Sequence, residues 1–344
     1  MWYRREKRRS RAATLAGDRN NRHVVPEDPT GTMKGMPKRI LLAWPRGYCA
    51  GVERAIDTVE RALRIYRPPV YVRKQIVHNI HVVRDLESKG AVFVEDERDV
   101  PEGAVCVLSA HGVAPAVYDN AADRRLNLID ATCPLVTKVH LEARRFARED
   151  RTILLIGHQG HEEVVGTSGE APGHIVLVGS PEEARTVQVA DPGSVSYLSQ
   201  TTLSVDETNE IIDVLRERFP DIQAPPRDDI CYATQNRQEA VKDMARDADV
   251  ILVIGSDNSS NSKRLVEVVR SSGAPAHLVD DESHIEPAWL DGADTVGVTS
   301  GASAPEWLVE RVVDHLKALG ATEVRQLHTV DEQVRFSLPA AVRA

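Results

Sequence analysis

Short apolar runs alternate with stretches where apolar residues recur every three or four positions, from Arg39 to near the C-terminus. Runs such as Val70–Val77, Thr152–Ile156 and Val250–Ile254 have the length and β-branched content of strands. Between the runs, Ile56, Val59, Leu63 and Tyr66 recur at steps of three, four and three, and Val136, Val139, Ala143 and Phe146 repeat those steps. Each set makes one stripe on a helix, the face that packs on a sheet. Strands alternating with single-faced helices predict an α/β protein with mainly parallel sheets, beginning at the strand Arg39-Ile40-Leu41-Leu42-Ala43.

The same order of elements occurs three times. Each copy opens on a cysteine, Cys49, Cys133 or Cys231, and continues through a helix to one of the apolar runs above. Second strands follow at Ala91–Glu95, His174–Gly179 and Ala276–Asp280, and third strands at Ala104–Ser109, Ser194–Ser199 and Asp294–Thr299. A polar residue recurs 28 or 29 positions after each cysteine: His78, His161 and Ser259. The third strands run out into Ala110-His111-Gly112, Gln200-Thr201-Thr202 and Gly301-Ala302-Ser303. The expectation is three pseudo-repeated α/β domains, 39–133, 134–227 and 228–344, around a central cavity where the thiols meet. Pro225-Pro226-Arg227 reads as a linker, and residues 321–344 as a segment returning to the first unit's sheet.

Charge separates the N-terminus from the rest. Residues 1–38 carry 10 Lys+Arg and 4 Asp+Glu (+6), leaving 33 and 48 (−15) for the remainder, which sums to −9. The basic run Arg4–Arg11 has no periodic apolar face, so residues 1–38 read as a disordered basic extension, or as a leader before a start at Met33 or Met36. The acidic body argues against nucleic acid as a partner. No apolar stretch approaches the roughly 18 residues of a membrane span, and no signal-peptide core is present. The expectation is a cytoplasmic protein with no membrane partner, whose four cysteines are reduced and available to metal or chemistry.

Pro134 follows Cys133 directly, and proline at the first helical position puts that cysteine at the helix cap, where the macrodipole favours a thiolate. Cys49 and Cys231 precede their helices similarly, whereas Cys106 sits inside a strand, has no counterpart in the other repeats and reads as core. Three thiolates suit zinc with a histidine, or three irons of a 4Fe–4S cluster; spacings of 84 and 98 residues match neither usual short-range pattern. The loops at the strand ends add His78, His111, Ser259, Ser260, Asn261 and Ser303, a set of imidazoles, hydroxyls and an amide suited to a diphosphate. A carboxylate beside His161 is placed to serve as a proton donor. Glu162 itself reads as a solvated acidic residue at a helix start.

Taken together, these motifs resemble the 4-hydroxy-3-methylbut-2-enyl diphosphate reductases. The resemblance rests on PRGYCAGV (45–52), VHN (77–79), SAHGV (109–113), DATCPLVTKVH (130–140), GHQGHEEVVGT (157–167), SQTTLSVDET (199–208), DDICYATQNRQEAV (228–241), GSDNSSNSKRL (255–265) and GASAPEW (301–307). It covers nearly everything from about 39 to 335 and omits residues 1–38. It implies a 4Fe–4S cluster on Cys49, Cys133 and Cys231, with the substrate hydroxyl at the fourth iron near Thr201. It further implies an allylic diphosphate held by His78, His111, Ser259, Asn261 and Ser303, with Ser260 nearby, His161 lining the site and Glu163 as proton donor. The implied reaction is reductive dehydroxylation to isopentenyl and dimethylallyl diphosphate, with electrons from a ferredoxin or flavodoxin type of partner. Glu162 stands where many such reductases have proline. Two other readings of the residues are a zinc hydrolase and a non-enzymatic anion-binding module. Three thiolates make zinc a poor Lewis acid, and a binding module leaves the thiols without a role.

Overall fold

The computed structural model describes residues 35–343, and the basic run of the N-terminus lies outside them. Strand β1 (Arg39–Trp44) leads into helix α1 (Ala50–Tyr66), followed by β2 (Val70–Arg73), α2 (Ile80–Ser88), β3 (Ala91–Val94), β4 (Val105–Leu108), α3 (Pro115–Asp123) and β5 (Asn127–Asp130). The middle part holds α4 (Pro134–Arg148), β6 (Thr152–Ile156), α5 (Glu162–Glu170), β7 (Ile175–Val178), α6 (Pro181–Thr186), β8 (Val195–Ser199) and α7 (Val205–Arg218). The last part holds α8 (Tyr232–Met244), β9 (Val250–Ile254), α9 (Ser260–Ser271), β10 (Ala276–Val279), β11 (Thr295–Ser300), α10 (Glu306–Ala318) and β12 (Glu323–His328).

Three sheets result, and all their strand pairs are parallel. Their orders are β3-β2-β4-β5, β7-β6-β8 and β10-β9-β11-β1-β12. Each therefore contains the same three-strand unit, with the first strand of the repeat between the second and the third. The strand–helix alternation thus produces the α/β fold with parallel sheets that it predicts.

The structure differs from expectation at the edges of the repeat. Strand β1 pairs with β11, Arg39 opposite Thr295, and so belongs to the third sheet rather than the first. The reason is visible in the first sheet, where β5 lies beside β4 and then feeds Cys133 and α4. Strand β1 stands in the same relation to β11 and feeds Cys49 and α1. In the middle unit only a parallel bridge between Ser196 and Gln223 marks that place, ahead of Cys231. Each cysteine thus sits at a junction, after the last strand of one unit and before the first helix of the next. Strand β12 pairs with β1 and so joins the third sheet, while Leu338 and Val342 beyond it pack on the core of the first. The Pro225-Pro226-Arg227 stretch lies in the irregular connection from α7 to α8.

Packing follows the predicted stripes. On α4, Val136, Val139, Ala143 and Phe146 are all buried. On α1 the buried face is Ala55, Val59, Ala62 and Leu63, with Ile56 and Tyr66 on its flank. The run beginning at Val70 stops pairing at Arg73; Lys74 takes a positive φ of 57°, and the loop beyond it carries His78. No helix among the described residues is long and apolar enough to cross a membrane. Loops at the carboxyl ends of the parallel strands and the N-termini of α1, α4 and α8 converge on one cavity, the place where open α/β sheets bind ligands.

Candidate active site

The cavity has an empty volume of about 670 Å³ and collects all twelve residues singled out in the sequence. Cys49, Cys133 and Cys231 are the N-caps of α1, α4 and α8. Their backbone N–H groups bond back to the loops at the third-strand ends: Cys133 to the carbonyl of Ala110 at 2.9 Å, Cys231 to Thr201 at 3.1 Å, and Cys49 to Ala302 at 3.2 Å. Each cysteine is thus pinned to the preceding unit while its helix directs a positive dipole end at the thiol. Sγ of Cys231 also accepts the backbone N–H of Thr234 at 3.4 Å, a capping contact signalled by the spacing of three residues, and meets its Oγ1 at 3.1 Å.

Burial first, and then the neighbouring Cys49, push the thiols of Cys133 and Cys231 up to about 12 and about 11. Three thiolates gathered in a poorly hydrated space need a bound cation to be stable. Gly51 opens that space. A Cβ built there would lie 2.7 Å from Sγ of Cys133 and 3.8 Å from Sγ of Cys49, so any larger residue would fill the room beside the thiols. A soft donor set, three dipole ends and a glycine-lined cradle fit a thiolate-bound metal centre.

Beyond the thiols the wall turns polar. The backbone N–H of Glu163 donates to Nδ1 of His161 at 3.2 Å, so that nitrogen carries no proton and the ring N–H is on Nε2. The amide Nδ2 of Asn258 lies 3.4 Å from Nδ1 of His78, which assigns His78 the same tautomer. Burial, then His111 and His161, push His78 down to about 2, and burial also lowers His161. Both are therefore neutral Nε2–H donors. His78 and His111 stack with centroids 4.0 Å apart, and His161 meets both edge-on. Ser259 caps α9, whose first turn carries Ser260 and Asn261. The Asn261 side chain is buried at 5% exposure with both amide atoms unpartnered, so it is built for something that enters the cavity. Ser303 bonds the carbonyl of His78 at 2.9 Å, and Ser260 meets Oγ1 of Thr202 at 3.1 Å.

Glu163 is buried, and its Oε2 receives both the N–H and the Oγ1–H of Thr201, each at 2.9 Å. The other carboxyl oxygen is left for a ligand. Glu162 is not the solvated residue expected from its place in the sequence. Its side chain is 26% exposed, and Oε2 sits 3.2 Å from Nδ1 of His111. Its neighbour His161 is visible in the sequence, but His111, its true partner, comes from another sheet. Gln200, which the sequence shows only as part of the run-out Gln200-Thr201-Thr202, supports the wall through others: it accepts the N–H of His158 at 3.1 Å and donates to Oγ of Ser260 at 3.1 Å. Apolar Val52, Val77, Leu135 and Val136 complete the wall.

This wall brings three helix-capping thiols, a set of imidazoles, hydroxyls and an amide, and one buried carboxyl into one enclosure. The family described as LytB protein matches residues 40–317. The chain is 64% identical over 310 residues to a 4-hydroxy-3-methylbut-2-enyl diphosphate reductase of Acidothermus cellulolyticus, covering 90% of this chain and 91% of that one. It is 62% identical to the protein of the same name from Mycolicibacterium paratuberculosis, over 89% of this chain and 93% of the other. Among solved structures, the E-1-hydroxy-2-methyl-but-2-enyl-4-diphosphate reductase of Plasmodium falciparum superposes with a TM-score of 0.86 at 37% identity, over 89% of this chain and 97% of that one.

Proposed function

The chain belongs to the LytB protein family, and from that premise we propose that it is the reductase that converts (E)-4-hydroxy-3-methylbut-2-enyl diphosphate to isopentenyl and dimethylallyl diphosphate, the terminal step of the non-mevalonate route. Two electrons and two protons replace the allylic hydroxyl by hydrogen and release it as water. Cys49, Cys133 and Cys231 would hold a 4Fe–4S cluster, which supplies electrons singly and, with three thiolate ligands, one metal position open to an oxygen. A ferredoxin or flavodoxin type of donor and a cytoplasmic location belong to the same reading.

The chain's own groups divide the remaining work. His78 and His161 offer Nε2–H to the diphosphate, joined by Ser259, Ser303 and the Asn261 amide, with His111 and Ser260 beside them. Thr201 orients Glu163 through two donated hydrogen bonds, so the proton Glu163 delivers rides on Oε1. The apolar patch of Val77, Leu135 and Val136 keeps water from the hydrocarbon part of the substrate.

The observation that carries this reading is that three helix-capping thiols face the same enclosure as the buried, unpartnered Asn261 amide. The test is anaerobic turnover of the substrate by reconstituted protein with a chemical reductant. Both five-carbon diphosphates should appear. Protein that holds a cluster yet neither binds nor consumes the substrate would overturn the reading.

A further inference from the structure

Each helix that opens on a cavity cysteine carries a cation about one and a half turns in. They are Arg54 on α1, Lys138 on α4 and Arg237 on α8, five, five and six residues after Cys49, Cys133 and Cys231. Each reaches to the chain just ahead of a different cysteine. Nη1 of Arg54 donates to the carbonyls of Ala131 and Thr132, at 2.9 and 3.0 Å, immediately before Cys133. Nζ of Lys138 donates to the carbonyls of Arg227 and Asp228 and, at 2.9 Å, to Oδ1 of Asp229, two residues before Cys231. Nη2 of Arg237 donates to the carbonyl of Gly47 at 2.7 Å, two residues before Cys49. The links therefore close on themselves. The helix of Cys49 holds the approach to Cys133, the helix of Cys133 the approach to Cys231, and the helix of Cys231 the approach to Cys49.

We propose that Arg54, Lys138 and Arg237 are positioning residues for the metal centre: together they form a closed cycle of cation links that fixes the three cysteine caps relative to one another. The inference rests on the reading of the three thiols as ligands of one iron–sulfur cluster.

The chemistry of the links suits that task. The carbonyls they engage lie outside helices and strands, so no ladder supplies their donors. Guanidinium and ammonium groups carry several N–H donors on one charge, and one side chain can hold two backbone points at once. Two links are fastened again by the segment after β12, which crosses from the third sheet to the core of the first. Nε of Arg54 donates to the carbonyl of Ser337 at 2.8 Å, and Nη1 of Arg237 donates to Oε1 of Glu332 at 2.9 Å. Arg237 is fully buried, and Glu332 supplies the countercharge that a buried cation requires. Asp229 does the same for Lys138, and its other oxygen accepts the N–H of Ser199 at 2.9 Å. The half-buried pair Arg73–Glu97 stays within the first unit and touches no cysteine cap, whereas each of these three joins two caps.

The experiment is release of iron from anaerobically reconstituted holoprotein into excess EDTA, followed by loss of visible absorbance well below the unfolding temperature. Arg54→Met removes a link whose partners are carbonyls alone, so no acid is left stranded. It should release iron about tenfold faster than wild type or more, the worth of one or two bonds from a charged donor. Lys138→Met combined with Asp229→Asn, which likewise strands no charge, should do the same. Arg54→Lys and Lys138→Arg exchange the cations that the chain already uses at equivalent positions. Both should stay within about threefold of wild type, because a charged donor is kept. Arg218→Met is the control: it removes bonds to the carbonyls of Ala184 and Val187 in the middle unit, away from the caps. It should lower the melting temperature and leave iron release at the wild-type rate. Unchanged release in Arg54→Met, equal acceleration in Arg218→Met, or equally fast release in Arg54→Lys and Arg54→Met would each overturn the proposal. Wild-type protein that takes up no iron and sulfide on reconstitution would instead overturn the reading of the thiols.

Discussion

Cysteine, histidine and glutamate each occur in this molecule both on the cavity wall and in the packed layer behind it. Cys106 lies within β4, fully buried, opposite Tyr71 and Leu128 of the neighbouring strands, and burial pushes its thiol up to about 12. Cys49, Cys133 and Cys231 cap helices and face the cavity. His140 and Glu170 pair at 2.9 Å behind the wall, with Arg144 near the second carboxyl oxygen, whereas His161 and Glu163 occupy the wall itself. Residue type is the same in both layers. Position within the element differs: Cys106 and His140 lie in mid-element and Glu170 at the end of α5, whereas the cavity residues stand at strand carboxyl ends or helix starts, where a free helix dipole faces them.

The largest expected difference between the layers concerns the thiols. Cys49→Ser, Cys133→Ser or Cys231→Ser should each lose nearly all cluster and activity, because hydroxyls replace thiolates poorly on iron–sulfur centres. Cys106→Ser should retain both. Metal content and turnover of the four variants check this, and equal loss in all four would erase the distinction.

The two glutamates should separate rate from stability. Glu163→Gln should reduce single-turnover reduction with a chemical reductant by about 10²-fold or more, the usual worth of a positioned acid, with binding largely intact. Glu170→Gln should leave the rate unchanged and lower stability by about 1–3 kcal/mol, since it weakens a charge-assisted bond to buried His140. A loss of affinity in Glu163→Gln, rather than of rate, would move the proton-donor role elsewhere.

The smallest effect is in pH. His78 is held neutral in the folded protein, its proton affinity pushed down to about 2, chiefly by burial. The unfolded chain takes up a proton at this residue below about 6.5, so it binds more protons than the folded state as pH falls through that value. Stability is therefore lost on the acid side, by about 1.4 kcal/mol between about pH 7.5 and about pH 5.5 for this group alone. Substrate-free holoprotein should show that fall in thermal unfolding, and His78→Gln should flatten it. An identical slope in the variant would mean that the cavity hydrates His78 freely.

Much of this division is legible in the chain itself. The stripe Val136, Val139, Ala143 and Phe146 specifies the buried face of α4, and Pro134 announces Cys133 as a helix cap. Such signals are local, and local periodicity and capping rules read them directly. What the pattern leaves open is which sheet a short apolar run joins. Ile40 and Ala43 are buried on opposite faces, as any interior strand requires, and nothing in Arg39–Trp44 selects β11 over β2 as partner. Glu162 escapes for the same reason, because its partner His111 lies 51 positions away on another sheet. Contacts between units set both outcomes.

Three caps from three junctions would hold one iron–sulfur centre in the cavity. Iron, zinc and acid-labile sulfide measured on anaerobically purified protein test it most directly. About four irons and about four sulfides per chain are expected, the content of a 4Fe–4S cluster. One zinc per chain without sulfide would contradict it.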